Sequence, residues 1–93
     1  MINPKEAYDL AVKNNINLDI VGLDQFLYGL NTELEHGSKL GKKTNITNNN
    51  KNLTSKIVIA HLIEDPFYYH RLYDMEKESE EYWKINNKPS IFN

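Results

Sequence analysis

Cysteine is absent from the 93-residue chain. Its absence excludes disulfides, thiolate-held zinc and thiol catalysis. Arginine is nearly absent: ten Lys accompany the lone Arg71. Long apolar runs are also missing. Residues 57–60 are apolar, but His61 interrupts them at once, far short of the ~20 residues that a membrane span needs. The first six residues read Met-Ile-Asn-Pro-Lys-Glu, with no charged leader ahead of an apolar stretch, so a secretory signal is not expected. No Gly-rich phosphate loop, nucleophile elbow or heptad series occurs. The serines, Ser38, Ser55, Ser79 and Ser90, stand in no nucleophile motif. Net charge is only −2, too weak a field to point to nucleic acid or a membrane surface as partner.

What remains is a single small domain. A chain of this length can bury roughly two thirds of its unfolded surface, enough for one modest core. Lys, Asn and Ile are plentiful, with thirteen Asn in all, as an AT-rich coding sequence would impose on a tolerant surface.

The pattern predicts an all-α fold: a compact four-helix domain around a central apolar third helix, with one long loop between helices two and three. The domain is expected to span residues 1–84, with 85–93 as a tail whose Ile91 and Phe92 can dock. The first helix starts with Asn3 as N-cap, Pro4 at the first helical position and Glu6 completing a capping box. It ends at Asn14 and Asn15. Residues 16–20 alternate apolar and polar and read as an extended linker. The second helix runs from about 22 to 36 with Leu23, Phe26, Leu27, Leu30 and Leu34 on one face, and Gly37 just past its end. Residues 37–52 read as loop, long enough in so small a domain to invite a functional role. The third helix begins between 47 and 52, ends at Glu64, and is apolar all round, as a buried helix would be. Asp65 and Pro66 then read as N-cap and first position of a fourth helix reaching about residue 84.

Charge is segregated along this layout. Residues 37–63 hold five Lys and no acid, whereas residues 64–84 hold seven acids and three bases. The ordinary meaning is a pair of solvated faces. A Lys-rich loop meeting an acidic partner is the sharper alternative, but it lacks the arginines or aromatics that a nucleic-acid surface would carry.

Helix two carries Glu33, Glu35 and His36 near its end, and helix three closes on His61 and Glu64. Each helix thus sets a Glu and a His three apart. Two carboxylates and two imidazoles suit a divalent ion such as zinc, manganese or iron, so Glu33, His36, His61 and Glu64 form a candidate metal set. Antiparallel packing of the two helices opposes this, because His36 would then lie ~15 Å from His61. The long loop could bring the ends together. The structural alternative is that His36 caps its own helix, His61 is a hydrogen-bonded core histidine, and Glu64 pairs locally. Acid–base catalysis by His61 and a Glu is chemically possible. Tyr68, Tyr69 and Tyr73 read as core residues with hydroxyls at the surface.

Four segments carry a resemblance: LDQFLYGL (23–30), GLNTELEHG (29–37), TNIT (44–47) and KIVIAHLIEDPFYYHRLYDME (56–76). Together they resemble an uncharacterised, domain-of-unknown-function family of small helical domains found in bacteriophages, giant viruses and bacteria. The likeness runs from about residue 18 to 83. It implies that Glu33, Glu35, His36, Thr44, Asn45, His61, Glu64, Asp65, Pro66, Tyr68 and Tyr69 belong together, and it names no activity. Phe67, His70 and the Asn48–Asn50 run depart from the pattern, the first two making the last helix more aromatic. The expected polar cluster is therefore Glu33, Glu35, His36, Asn45, His61, Glu64, Asp65, Tyr68 and Tyr69.

The function expected on these grounds is a small non-enzymatic interaction or structural protein, viral in origin. It would bind a protein partner or a second copy of itself through the acidic, Tyr-rich fourth helix or the Lys-rich loop. The expected setting is soluble, in host-cell cytoplasm or virion, with no membrane and nucleic acid disfavoured. The alternative is a metal-binding helical domain, with hydrolysis as its extension.

Overall fold

The computed structural model describes residues 1–38 and 50–92, the side chains of 36–38 excepted. Five helices follow in order: α1 (Pro4–Lys13), α2 (Leu18–Val21), α3 (Leu23–Ser38), α4 (Lys51–Glu64) and α5 (Tyr68–Ile85). Four of them are long, and the fold is all-α as the pattern predicts. The Lys-rich loop and Asn45 lie outside the described residues.

α1 begins as its sequence dictates. The Asn3 side chain accepts from the Glu6 N–H at 2.8 Å, and the Glu6 carboxylate accepts from the Asn3 N–H at 3.4 Å. Its end is equally local. Asn15 takes a positive φ of 56°, the Asn15 N–H donates to the Val12 carbonyl, and the Ile16 N–H donates to the Ala11 carbonyl. That is a Schellman motif with Asn where Gly is commoner. Ala7 and Ala11 are fully buried, and their small side chains let α1 sit close against α3.

Residues 16–20 are not the extended linker their alternation suggests. Asn17 accepts from the Asp19 N–H and caps the one-turn helix α2. Gly22, at φ 80°, ends it. Leu18 and Val21 face the core three residues apart while Ile20 is exposed, so a helical period overrides the apparent period of two.

α3 touches every other helix. Phe26 and Leu30 are fully buried, and Leu23, Leu27 and Leu34 pack around them, so the predicted face is the observed one. Each fully buried side chain of this size stabilises the fold by about 1.5–3 kcal/mol. The helix runs on to Ser38, so Gly37 lies within it and not beyond it. Gly29 is required by packing. A Cβ there would lie 2.9 Å from the Tyr69 ring and 3.1 Å from Val58.

α4 starts at the N-cap Asn50, whose side chain accepts from the Leu53 N–H. It buries Thr54, Ser55, Val58 and Leu62. The two hydroxyls bond carbonyls of the preceding turn, Thr54 to Asn50 and Ser55 to Asn52. Although α4 is apolar all round, it is not surrounded, and Ile63 stays 78% exposed. The central place that the pattern gives to this helix is shared with α3, which packs on all the others.

α5 starts two residues later than the Asp65-Pro66 signal predicts. Asp65 instead closes α4, and its side chain accepts from the Phe67 N–H at 2.9 Å. Only Tyr69 of α5 is buried. Ile91 and Phe92 are exposed, so the tail does not dock as expected.

Candidate functional site

The site forms where α5 crosses α3 beside the end of α4, and it is organised around Tyr69. Three positions of α3, spaced by four residues, meet this one tyrosine from backbone to hydroxyl. Gln25 holds its backbone, Gly29 makes room for its ring, and Glu33 accepts from its hydroxyl.

Gln25 is 2% exposed. Its Oε1 accepts from the Tyr69 and His70 N–H groups at 3.1 and 3.3 Å. Its Nε2 donates to the Val21 and Pro66 carbonyls at 2.8 and 2.9 Å. The N-cap of α5, Phe67, has no side chain that can do this. Tyr69 and His70 are the second and third residues of α5, whose N–H groups an N-cap side chain normally satisfies. Gln25 therefore caps α5 from another helix, and both ends of its amide are used.

The Tyr69 hydroxyl donates to Glu33 Oε1 at 3.4 Å and lies 3.1 Å from His61 Nδ1. His61 Nδ1 is 4.0 Å from the same carboxylate oxygen. A hydroxyl has one proton to give. With the hydroxyl proton directed at Glu33, the consistent tautomer puts a proton on His61 Nδ1, donating to the Tyr69 oxygen, and a lone pair on Nε2. Burial, with the Glu33 charge behind it, pushes the Tyr69 hydroxyl well above the usual tyrosine range, so it stays protonated. The His61 ring stacks on Tyr68, centroids 4.3 Å apart at 23°, and Tyr68 meets Tyr69 edge to face.

The structure thus brings together Glu33, His61, Tyr68 and Tyr69. It does not bring in Glu64, which is exposed three residues further along α4 and pairs with no described residue. Asp65 stands apart as well. The Phe67 N–H first, and then the Arg71 guanidinium at 2.6 Å, hold its carboxyl below the usual range. Glu35 is exposed and lines a different surface of α3, beside Asp24 and Asn31. The His36 side chain and Asn45 lie outside the described residues. Among the described residues no group of three or more His, Asp or Glu could hold a metal ion. Tyr69 corrects one expectation, since its hydroxyl sits inside a polar network and not at the surface.

Sequence reasoning missed Gln25 and Gly29. The stripe 25, 29, 33 was the available signal. A polar residue, a glycine and an acid at successive turns of an otherwise apolar face mark a groove that receives something large and polar.

Fold and site together define a small all-α domain whose half-buried polar cluster joins one helix to another. The chain belongs to the family described as Protein of unknown function (DUF5661), which it matches over residues 7–78. No curated protein and no solved structure matches it. No helix among the described residues is long and apolar enough to cross a membrane.

Proposed function

We propose that this is a non-enzymatic interaction domain in which the core presents the outer half of α5 to a protein partner. The observation that supports this reading is the division of α5. Its first turn is capped by Gln25 and anchored through Tyr69, while Met75, Tyr82 and Ile85 are 57%, 54% and 85% exposed. Met75 and Trp83 also line a shallow cavity on this half. Exposed apolar side chains that join into one contiguous patch are what a contact surface is made of. In this reading the Glu33–His61–Tyr69 cluster is structural. It fixes the angle at which α5 leaves the core. The Lys- and Asn-rich, Arg-poor composition supports a large DNA virus as the source.

A photo-crosslinking residue at position 82 of the full chain tests this reading in cells that express the protein. The expected product is one discrete adduct, with a second copy or with another protein, that Met75→Lys with Ile85→Lys removes. Both side chains are exposed, so stability should stay within about 0.5 kcal/mol per substitution. A ladder of unselective adducts, insensitive to the substitutions, would contradict the reading.

A second reading rests on the 4.0 Å approach of His61 to Glu33, three residues before His36 on α3. A divalent ion would take Glu33 and, in place of its proton, the Nδ1 of His61, with His36 added from the sequence pair. Metal analysis of tag-free protein separates the two readings. Stoichiometric zinc, manganese or iron, with a rise in melting temperature on adding it, favours the second, and neither being seen removes it.

A further inference from the structure

The α3–α5 seam carries a second feature, which shares Gln25 and Tyr69 with the site above. On the same seam, nearer the start of α3, lies a cavity of about 210 Å³ lined by Asp24, Gln25, Tyr28, Tyr69, His70 and Tyr73. The Tyr28 ring stands edge to face against both neighbours. Its centroid is 5.6 Å from Tyr73 at 77°, and 6.4 Å from Tyr69 at 73°. The corner of such a T-shaped pair is bounded by the faces of two rings, and ring faces carry the negative end of the aromatic quadrupole. Two carboxylates add to that sign. Asp24 is part of the lining, and Glu76 accepts from the Tyr28 hydroxyl at 3.2 Å. Among the described residues of the lining there is neither Lys nor Arg. Tyr73 is half exposed at the rim, which leaves the corner open to solvent. The volume falls below the ~300–1,000 Å³ of pockets that hold drug-sized molecules. It suits a single head group.

We propose that this tyrosine corner is a binding site for an alkylammonium cation, such as the head of a lysine side chain, free or methylated, or of a small choline-like molecule. Ring faces attract the cation, Asp24 supplies the counter-charge, and the Tyr28–Glu76 hydrogen bond holds the central ring in place. The outer half of α5 enters this site only through Glu76, while Asp24, Tyr28 and Tyr73 lie outside it, so failure of the cation site leaves the interaction reading standing, and the reverse holds.

The test is an NMR titration of the full chain with tetramethylammonium chloride, choline chloride and N-acetyl-lysine methylamide. The neutral choline isostere 3,3-dimethylbutan-1-ol and sodium chloride serve as controls. Saturable shifts of the Tyr28 and Tyr73 ring protons are expected with the ammonium probes alone. Tyr73→Leu should weaken binding about two- to fivefold, and Tyr73→Phe should keep it, since the ring face is what attracts. Asp24→Asn, at an exposed position, should weaken it without touching the core. Tighter binding of the lysine derivative assigns the site to a protein side chain, and tighter binding of choline assigns it to a free cation. The proposal is overturned by an absence of saturation up to ~50 mM, by equal affinity for the neutral alcohol, or by unchanged affinity in both Tyr73→Leu and Asp24→Asn.

Discussion

Tyr69→Ala is expected to cost about 3–5 kcal/mol of folding stability, the range for emptying a buried aromatic site. Tyr69 is fully buried, its ring lies against the Gly29 backbone, and α3 cannot close the gap because Gly29 has no side chain to fill it. A domain of this size has only about 5–15 kcal/mol in total. At about 4–8 °C per kcal/mol, melting should fall by tens of degrees or be lost. Tyr69→Phe separates ring from hydroxyl. It keeps the packing and leaves Glu33 and His61 without their shared partner. Both side chains are partly exposed, at 15% and 33%, so water can replace the hydroxyl, and the expected cost is about 0.5–1.5 kcal/mol. Urea denaturation of the two variants measures both numbers. Equal costs would mean that the hydroxyl, and not the ring, carries the effect, contrary to the packing argument.

Gln25→Ala is the second large effect. Its amide makes four hydrogen bonds in a site that is 2% exposed. Removing it strands two N–H groups at the start of α5 and two carbonyls, at Val21 and Pro66. Loss of an N-cap alone costs about 0.5–2 kcal/mol, and each buried group left unpaired adds about 1–3 kcal/mol before relaxation. Allowing for that relaxation, the expected total is about 2–4 kcal/mol. Gln25→Glu is the informative partner. A carboxylate still accepts from Tyr69 and His70, and it suits the positive end of the α5 dipole. It cannot donate to Val21 and Pro66. At 2% exposure the carboxylate is desolvated and one of its oxygens faces those two carbonyl oxygens, so its cost should be at least that of Gln25→Ala. A Gln25→Ala variant within about 0.5 kcal/mol of wild type would contradict the capping role.

These two residues also mark where the sequence was legible and where it was not. Asn3-Pro4 with Glu6 and the α3 stripe of Phe26 and Leu30 are local signals, and the structure follows them. The cap of α5 is not local. It comes from Gln25, 44 residues before Tyr69, and no neighbour-based rule can find a cap that arrives from another helix. The local rule instead pointed to Asp65-Pro66, whose turn does end α4 but precedes α5 by two residues. The Glu/His pairs were legible in part. A spacing of three leaves two side chains about 60° apart around the helix. That is enough for His61 to turn toward Tyr69 while Glu64 faces solvent. Gly29 could not be read as a contact either, since a missing side chain gives no sign of what fills the space.

The central claim is that α5 is two things joined end to end: an anchored half built into the core and a presented half that the core does not need. Native-state hydrogen exchange along this one helix tests it most directly. Amides of residues 69–73 should exchange only through global unfolding. Those of residues 79–85 should open locally, at free energies several-fold lower. Gln25→Glu should lower protection in the first group and leave the second unchanged. Uniform protection from Tyr69 to Ile85 would contradict the account, since it would make the outer half of α5 part of the core and leave no separate surface to offer a partner.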